Sequence, residues 1–493
     1  MAGNTAQGAR SARPRPGLWL AGAAACMPAL ADAHAWSVPY YLPVPLWLYA
    51  YAATGALIIS FMVLAFAPGH GAPRAAPHPG LCGKGLRIPA WLLHAGQIAG
   101  MAFLALLIVA GLAGTPNPFL NLGMPGFWIW FYLGSMYASA AVGGIYAFTN
   151  PFAGVLRIAA RYFPGLETGR YRYPRRLAAY PALCVYAALI ALELFGAGRP
   201  RDVGLFLIGY TVYAIAGAFC FGPKRWLRHC DAFGMLCGLC ARLSPFHWRL
   251  SPGGQVIVGL RNPIAGLARS RPSHTSVVAF LAFMVASTAY DGLRDTAAWN
   301  QFFWRGVYPH VASLFPALGK GYALSGQVLL AWQWLAFAAM GAAYYGLFRF
   351  FCALEAAASR SPFGGKRFSL QFCFALLPIA FFYNVAHYFT LFLDQGRKTI
   401  ALASDPLGLG WALFPVPPVQ DAAAQPLVNV GAIWHAQVFL ILAGHLLSVY
   451  ATHAIAARSR HLAGTAAISQ LPLLVLTIVL TVSGLWILSL PLA

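Results

Sequence analysis

Charge is what this sequence has least of. Only 9% of its 493 residues are charged, and just 11 of them are acidic. A soluble domain carries about 25% charged residues, so this chain has too little polar surface to cover a water-soluble globule. A soluble enzyme, a DNA-binding module and a disordered scaffold are excluded together. Paired cysteines are also scarce. The nine cysteines are scattered, and the single close pair, Cys237 and Cys240, has no second pair to complete a zinc ribbon. No nucleotide-binding glycine loop, extramembrane domain or internal repeat stands out. What is abundant is apolar sequence: 60% of residues are hydrophobic, in stretches of about twenty that recur along the chain. These features predict an all-α polytopic membrane protein.

The formal charge of +22 does not indicate a nucleic-acid partner, because the basic residues sit in short loops between apolar stretches. Arg10, Arg13 and Arg15 precede a short apolar run, Leu18 to Leu30, and the Ala31-Asp32-Ala33 triplet. That order predicts a cleavable signal peptide over 1–33, with His34 opening a single membrane domain over 34–493. Ten spans are expected, at 44–66, 90–112, 127–148, 179–197, 203–221, 275–291, 323–348, 369–393, 430–454 and 471–490. With both mature termini periplasmic, the inner loops hold 23 Lys and Arg and the outer ones seven. This asymmetry predicts a bacterial inner-membrane protein with its basic loops in the cytoplasm. Arg157 and Arg161 share one face of the 151–162 segment, suggesting a helix on the inner leaflet, and the stretch around Trp226, Arg228 and Trp248 reads the same way.

An ionisable side chain inside a span costs about 2.5–3.5 kcal/mol on insertion scales and calls for a partner or a purpose. His387 lies six residues before the outer end of its expected span, about 9 Å deep at 1.5 Å per residue. His435 lies five residues into the next, roughly 7–8 Å deep from the same side. Asp291 ends the sixth expected span at a neighbouring height, and a cleaved N-terminus would bring His34 to that surface. Asn384 shares a helix face with His387. His445 lies ten residues beyond His435, about 15 Å deeper and rotated by about 80°, so one metal cannot take both directly. Three or four such donors at one level would suit zinc or another borderline divalent ion. Aromatic runs such as Phe127 to Tyr132 and Phe381-Phe382-Tyr383 read as interfacial and packing residues that could also line a pocket for a lipophilic ligand.

Several segments carry a family resemblance. His34-Ala-Trp-Ser-Val-Pro-Tyr-Tyr-Leu-Pro-Val-Pro-Leu-Trp leads into the first span, and Tyr290-Asp291-Gly292-Leu293 ends the sixth. Asn384-Val-Ala-His387-Tyr-Phe lies in the eighth, and Trp434-His-Ala-Gln437, Gly444-His445 and Thr452-His453 follow in the ninth. Together they resemble the bacterial integral-membrane fenitrothion hydrolases over most of the chain. The resemblance implies hydrolysis of lipophilic organophosphate triesters drawn from the bilayer, with release of a nitrophenol. A divalent metal would activate the attacking water, zinc being the first choice and cobalt, manganese or copper the others. On this reading His387, His435 and Asp291 bind the metal and His34 is a fourth ligand. His445 is a deeper ligand or a support, and Asn384 orients His387 or the substrate. Asp291 and Asn384 are the catalytic candidates. Two other classes stay open at this point: a transporter of a small solute or metal ion using His445 and Glu193, and a haem- or copper-binding redox protein.

Overall fold

The computed structural model describes residues 44–66, 85–251, 255–268, 270–315, 322–416, 430–459 and 469–490. The proposed signal peptide and His34 lie outside the described residues. Among those described, seven helices are long and apolar enough to cross a membrane, or eight if one bent pair counts as a single span. The chain is therefore a multi-pass membrane protein, with fewer full-length spans than the ten expected.

Each expected span is occupied by helix, and three of them are interrupted or short. The 127–148 stretch is a π-helix, Gly126–Gly134, followed by an α-helix, Ser135–Val142. It ends at Gly143, where φ is +94° and a Cβ would lie 2.8 Å from the Phe246 carbonyl oxygen, so only glycine fits that turn. The 179–197 stretch is a helix of only 16 residues, Tyr180–Phe195. The 369–393 stretch is broken at Phe372, where Gly365–Gln371 and Cys373–His387 meet at 47°. Phe368, Phe372 and Phe374 are buried around that break, so the bend exchanges helix continuity for aromatic packing.

The Thr275–Arg294 helix is the centre of the molecule, with every residue from Val278 to Asp291 buried except Ala279. The side chain of His274 accepts the Ser276 N–H at 3.1 Å and caps its start. It packs against Tyr180–Phe195, Tyr322–Ala358 and Leu376–His387. Peripheral helices show the reverse pattern: Leu46–Phe66 fully buries only Ala53, Leu57 and Phe61, while Trp47, Tyr51, Ile59, Val63 and Phe66 face outward. Outward apolar surface is favourable here because the solvent around the spans is lipid.

The segments between spans depart from the expected membrane-surface helices. Pro151–Tyr162 is helical, capped by Asn150, whose Oδ1 accepts from Phe152 N and Ala153 N. Arg157 and Arg161 are exposed as expected, but Phe152 and Leu156 on the opposite face are buried within the protein. Trp226 is likewise buried, fitted against Gly217. Trp248 lies in a strand. Three short strands, Leu86–Ile88, Phe246–Leu250 and Val256–Leu260, form an antiparallel sheet with the last in the middle. The fold is thus almost wholly helical, with one small sheet that the all-α expectation did not include.

A buried polar knot anchors this part of the fold. Asp231 accepts the Tyr210 hydroxyl at 2.6 Å and the Asn150 amide at 2.8 Å, beneath a cluster of rings from Phe131, Phe152 and Phe233. Burial pushes the Asp231 carboxyl up from the ordinary range, and the hydrogen bonds it accepts pull it back down. Every charged oxygen of this acid is engaged within the fold.

Candidate functional site

Asp291 sits on the last turn of the central helix, 2% exposed. Its Oδ2 is 2.8 Å from His387 Nε2 and also accepts the Tyr388 hydroxyl at 2.8 Å. His387 closes the Leu376–His387 helix, and the chain turns at Tyr388 before Phe389–Ser404 begins. Two helix C-termini therefore meet at this point. Their carbonyl ends carry the negative pole of each helix dipole.

Gly292 makes the approach possible. A Cβ at this position would lie 2.9 Å from Ile487 Cγ2 and 3.4 Å from His387 Cε1, so a larger residue would press on the imidazole. With Nε2 turned to the carboxylate, Nδ1 is the nitrogen that remains for chemistry. The His387 side chain is 19% exposed, whereas that of Asp291 is fully covered. The arrangement is a partly exposed imidazole backed by a buried carboxylate.

Two further polar residues support the helix that carries His387. Gln437, from Val430–Ala457, donates to the Ala386 carbonyl at 2.9 Å. Asn384, one turn before His387, accepts the Tyr137 hydroxyl at 3.4 Å. Tyr137 also lines a cavity of about 490 Å³ together with Trp130, Tyr146, Phe392, Gly134 and Ser135. The rings of Tyr137 and Phe392 are 5.2 Å apart, and those of Trp130 and Phe392 6.0 Å. The π-helix over 126–134 forms one wall, an irregularity that often accompanies functional sites. An aromatic chamber of ligand size therefore adjoins the polar centre through Tyr137 and Asn384.

The structure brings Asp291 and His387 together and places Asn384 beside them. It does not add His435 or His445. His435 is exposed, with its Nδ1 3.3 Å from the Tyr49 hydroxyl. The reason is helical phase: Gln437, two residues on, faces Ala386, and two residues turn a helix by about 200°. His435 thus points away from the helix of His387. His445 is 2% exposed, and its Nδ1 is bound at 2.7 Å to the Ile441 carbonyl of its own helix. Among the described residues, no three His, Cys, Asp or Glu side chains converge where they could hold a metal ion. Of the expected four donors, Asp291 and His387 are in contact and His435 turns towards Tyr49, while His34 lies outside the described residues.

Tyr388 and Tyr137 are the contributors that sequence reasoning missed. Tyr388 follows His387 directly, and its place beside a buried acid depends on the turn that ends the helix. Tyr137 lies past the 127–132 aromatic run, among small and apolar residues, with no mark to separate it from packing residues.

The fold and site define a multi-pass helical membrane protein with a buried Asp–His–Tyr centre. Compared with known proteins, the chain matches no family model, no curated protein and no solved structure.

Proposed function

We propose that this protein is a membrane-embedded hydrolase of lipophilic phosphotriesters, with His387 as the general base. The observation that carries the reading is the 2.8 Å contact between His387 Nε2 and the buried Asp291 carboxylate. Asp291 fixes the ring orientation and stabilises the imidazolium that forms when Nδ1 takes a proton from water. The water oxygen then bonds to phosphorus while the bond to the aryloxy group breaks. A nitrophenolate leaves as a stable anion, so no general acid is required.

Asn384 has the place of a positioning residue between His387 and the chamber. The aromatic lining of Trp130, Tyr137 and Phe392 suits an aryl substituent of a substrate partitioned into the bilayer. The excess of basic residues in the opposite loops supports a site on the periplasmic side of a bacterial inner membrane. No step in this scheme passes through a metal.

The test is nitrophenolate release from fenitrothion or a parathion analogue by the full-length protein in lipid nanodiscs, with a chelator and then zinc, cobalt or manganese. Turnover that survives chelation and disappears in His387→Ala is expected. Turnover that depends on added metal would reinstate the metal-activated water and point to His34 as a ligand. No turnover by folded protein under any condition contradicts the hydrolase reading.

A further inference from the structure

A second cavity, of about 260 Å³, lies beside the small sheet and is lined by Arg242, Arg261, His247, Trp248 and Phe246. No acid lines it. Residues 222–274 contain eight Lys and Arg but a single acid, Asp231, and both oxygens of that acid are committed to Tyr210 and Asn150. Arg242 has no ion-pair partner among the described residues. Its guanidinium carbon lies 4.0 Å from the centre of the Phe374 ring, while Nη1 donates to Ser270 Oγ at 2.6 Å and to the Gly266 carbonyl at 3.4 Å. Stacking on the ring leaves the edge of the fork available to an anion.

The walls are firm. Arg261 donates from Nε to the Ser244 carbonyl at 3.0 Å and from Nη2 to the Ala241 carbonyl. Trp248 donates to the Val142 carbonyl at 2.7 Å and stacks on Phe148. The sheet outside the cavity is apolar and basic together. Leu260, paired with Phe246, is 77% exposed, Leu86 is 72% exposed, and Arg87 and Arg249 point outward. Exposed leucines between arginines suit a membrane interface, where apolar side chains enter the acyl region and guanidinium groups meet headgroups.

We propose that this cavity is a phosphate-binding site, occupied by the headgroup of an anionic phospholipid whose acyl chains lie along Phe246 and Leu260. Arg242 is the principal ligand and His247 contributes at the mouth. The ring of Phe374 belongs to the foot of the broken span that carries His387, so a bound headgroup would brace that span from the other end. The site is independent of the proposed hydrolysis.

The experiment is native mass spectrometry of the full-length protein from nanodiscs of phosphatidylcholine with and without phosphatidylglycerol, paired with thermal unfolding. Selective retention of phosphatidylglycerol and a raised midpoint are expected. Arg242→Gln should weaken retention by about tenfold, the value of one charge-assisted hydrogen bond, and Arg242→Lys should recover part of it. His247→Ala, on an exposed position, gives a smaller loss and keeps the test open if the Arg242 variants do not fold. Displacement of the lipid by inorganic phosphate, with the same midpoint rise, supports the phosphate site and overturns the lipid as its source. Equal retention of both lipids, or retention unchanged in every variant, overturns the proposal.

Discussion

Asp291 and Asp394 each gather polar partners, of different kinds and in opposite surroundings. Asp291 is buried between helices, with His387 and Tyr388 on one oxygen. Asp394, on the amphipathic Phe389–Ser404 helix, has a side chain 37% exposed, with Lys398 at 2.7 Å and Arg397 at 3.8 Å. The outer cluster has the greater formal charge and the closer sequence spacing, yet solvent screening leaves such pairs worth about 0–1 kcal/mol. In the inner cluster a lost partner strands a polar group away from water. Polar chemistry in this protein is therefore concentrated where the surroundings are least polar.

Breaking the two clusters in turn should separate them sharply. His387→Ala has the largest expected effect: hydrolysis falls about 100- to 10,000-fold with loss of the base, and stability drops by roughly 3–5 kcal/mol because Asp291 loses its partner. Nitrophenolate release and denaturant titration in detergent micelles measure the two effects; retention of both would dissolve the contrast. Tyr388→Phe removes one hydrogen bond to a carboxylate and should cost about 1.5–3 kcal/mol with a smaller fall in turnover. Gly292→Ala keeps every polar group and adds one methyl against Ile487 and His387. It should cost about 1–3 kcal/mol and lower kcat more than it raises KM, as a steady-state comparison would reveal. Asp394→Asn is the small end of the series, within about 1 kcal/mol and with turnover unchanged. A large loss of activity in that variant would extend the site onto the outer helix.

The same contrast explains what could be read in advance. Apolar length reports how far a helix can reach across a bilayer, so the 44–66 and 471–490 expectations lie close to Leu46–Phe66 and Leu471–Ser489. Counting residues from a span end gives depth, and depth brought Asp291 and His387 to one level. It carries no information about rotation around the helix axis. His435, at a matching depth, turns towards Tyr49 because Gln437 takes the face against Ala386. Breaks are hidden for another reason. The π-helix over 126–134 and the bend at Phe372 arise from how rings pack between neighbours, and an aromatic run looks the same in a straight span. The sheet escaped notice because its strands are three to five residues long and belong to loops.

The central claim is that His387 acts as a base held by Asp291. Its most direct test is the turnover of one phosphotriester by wild type, His387→Ala, Asp291→Asn and the double variant in matched nanodiscs. If the two residues act as a unit, each single variant should lose nearly as much as the double. Losses that multiply in the double variant, or a single variant that retains wild-type turnover, would contradict the account.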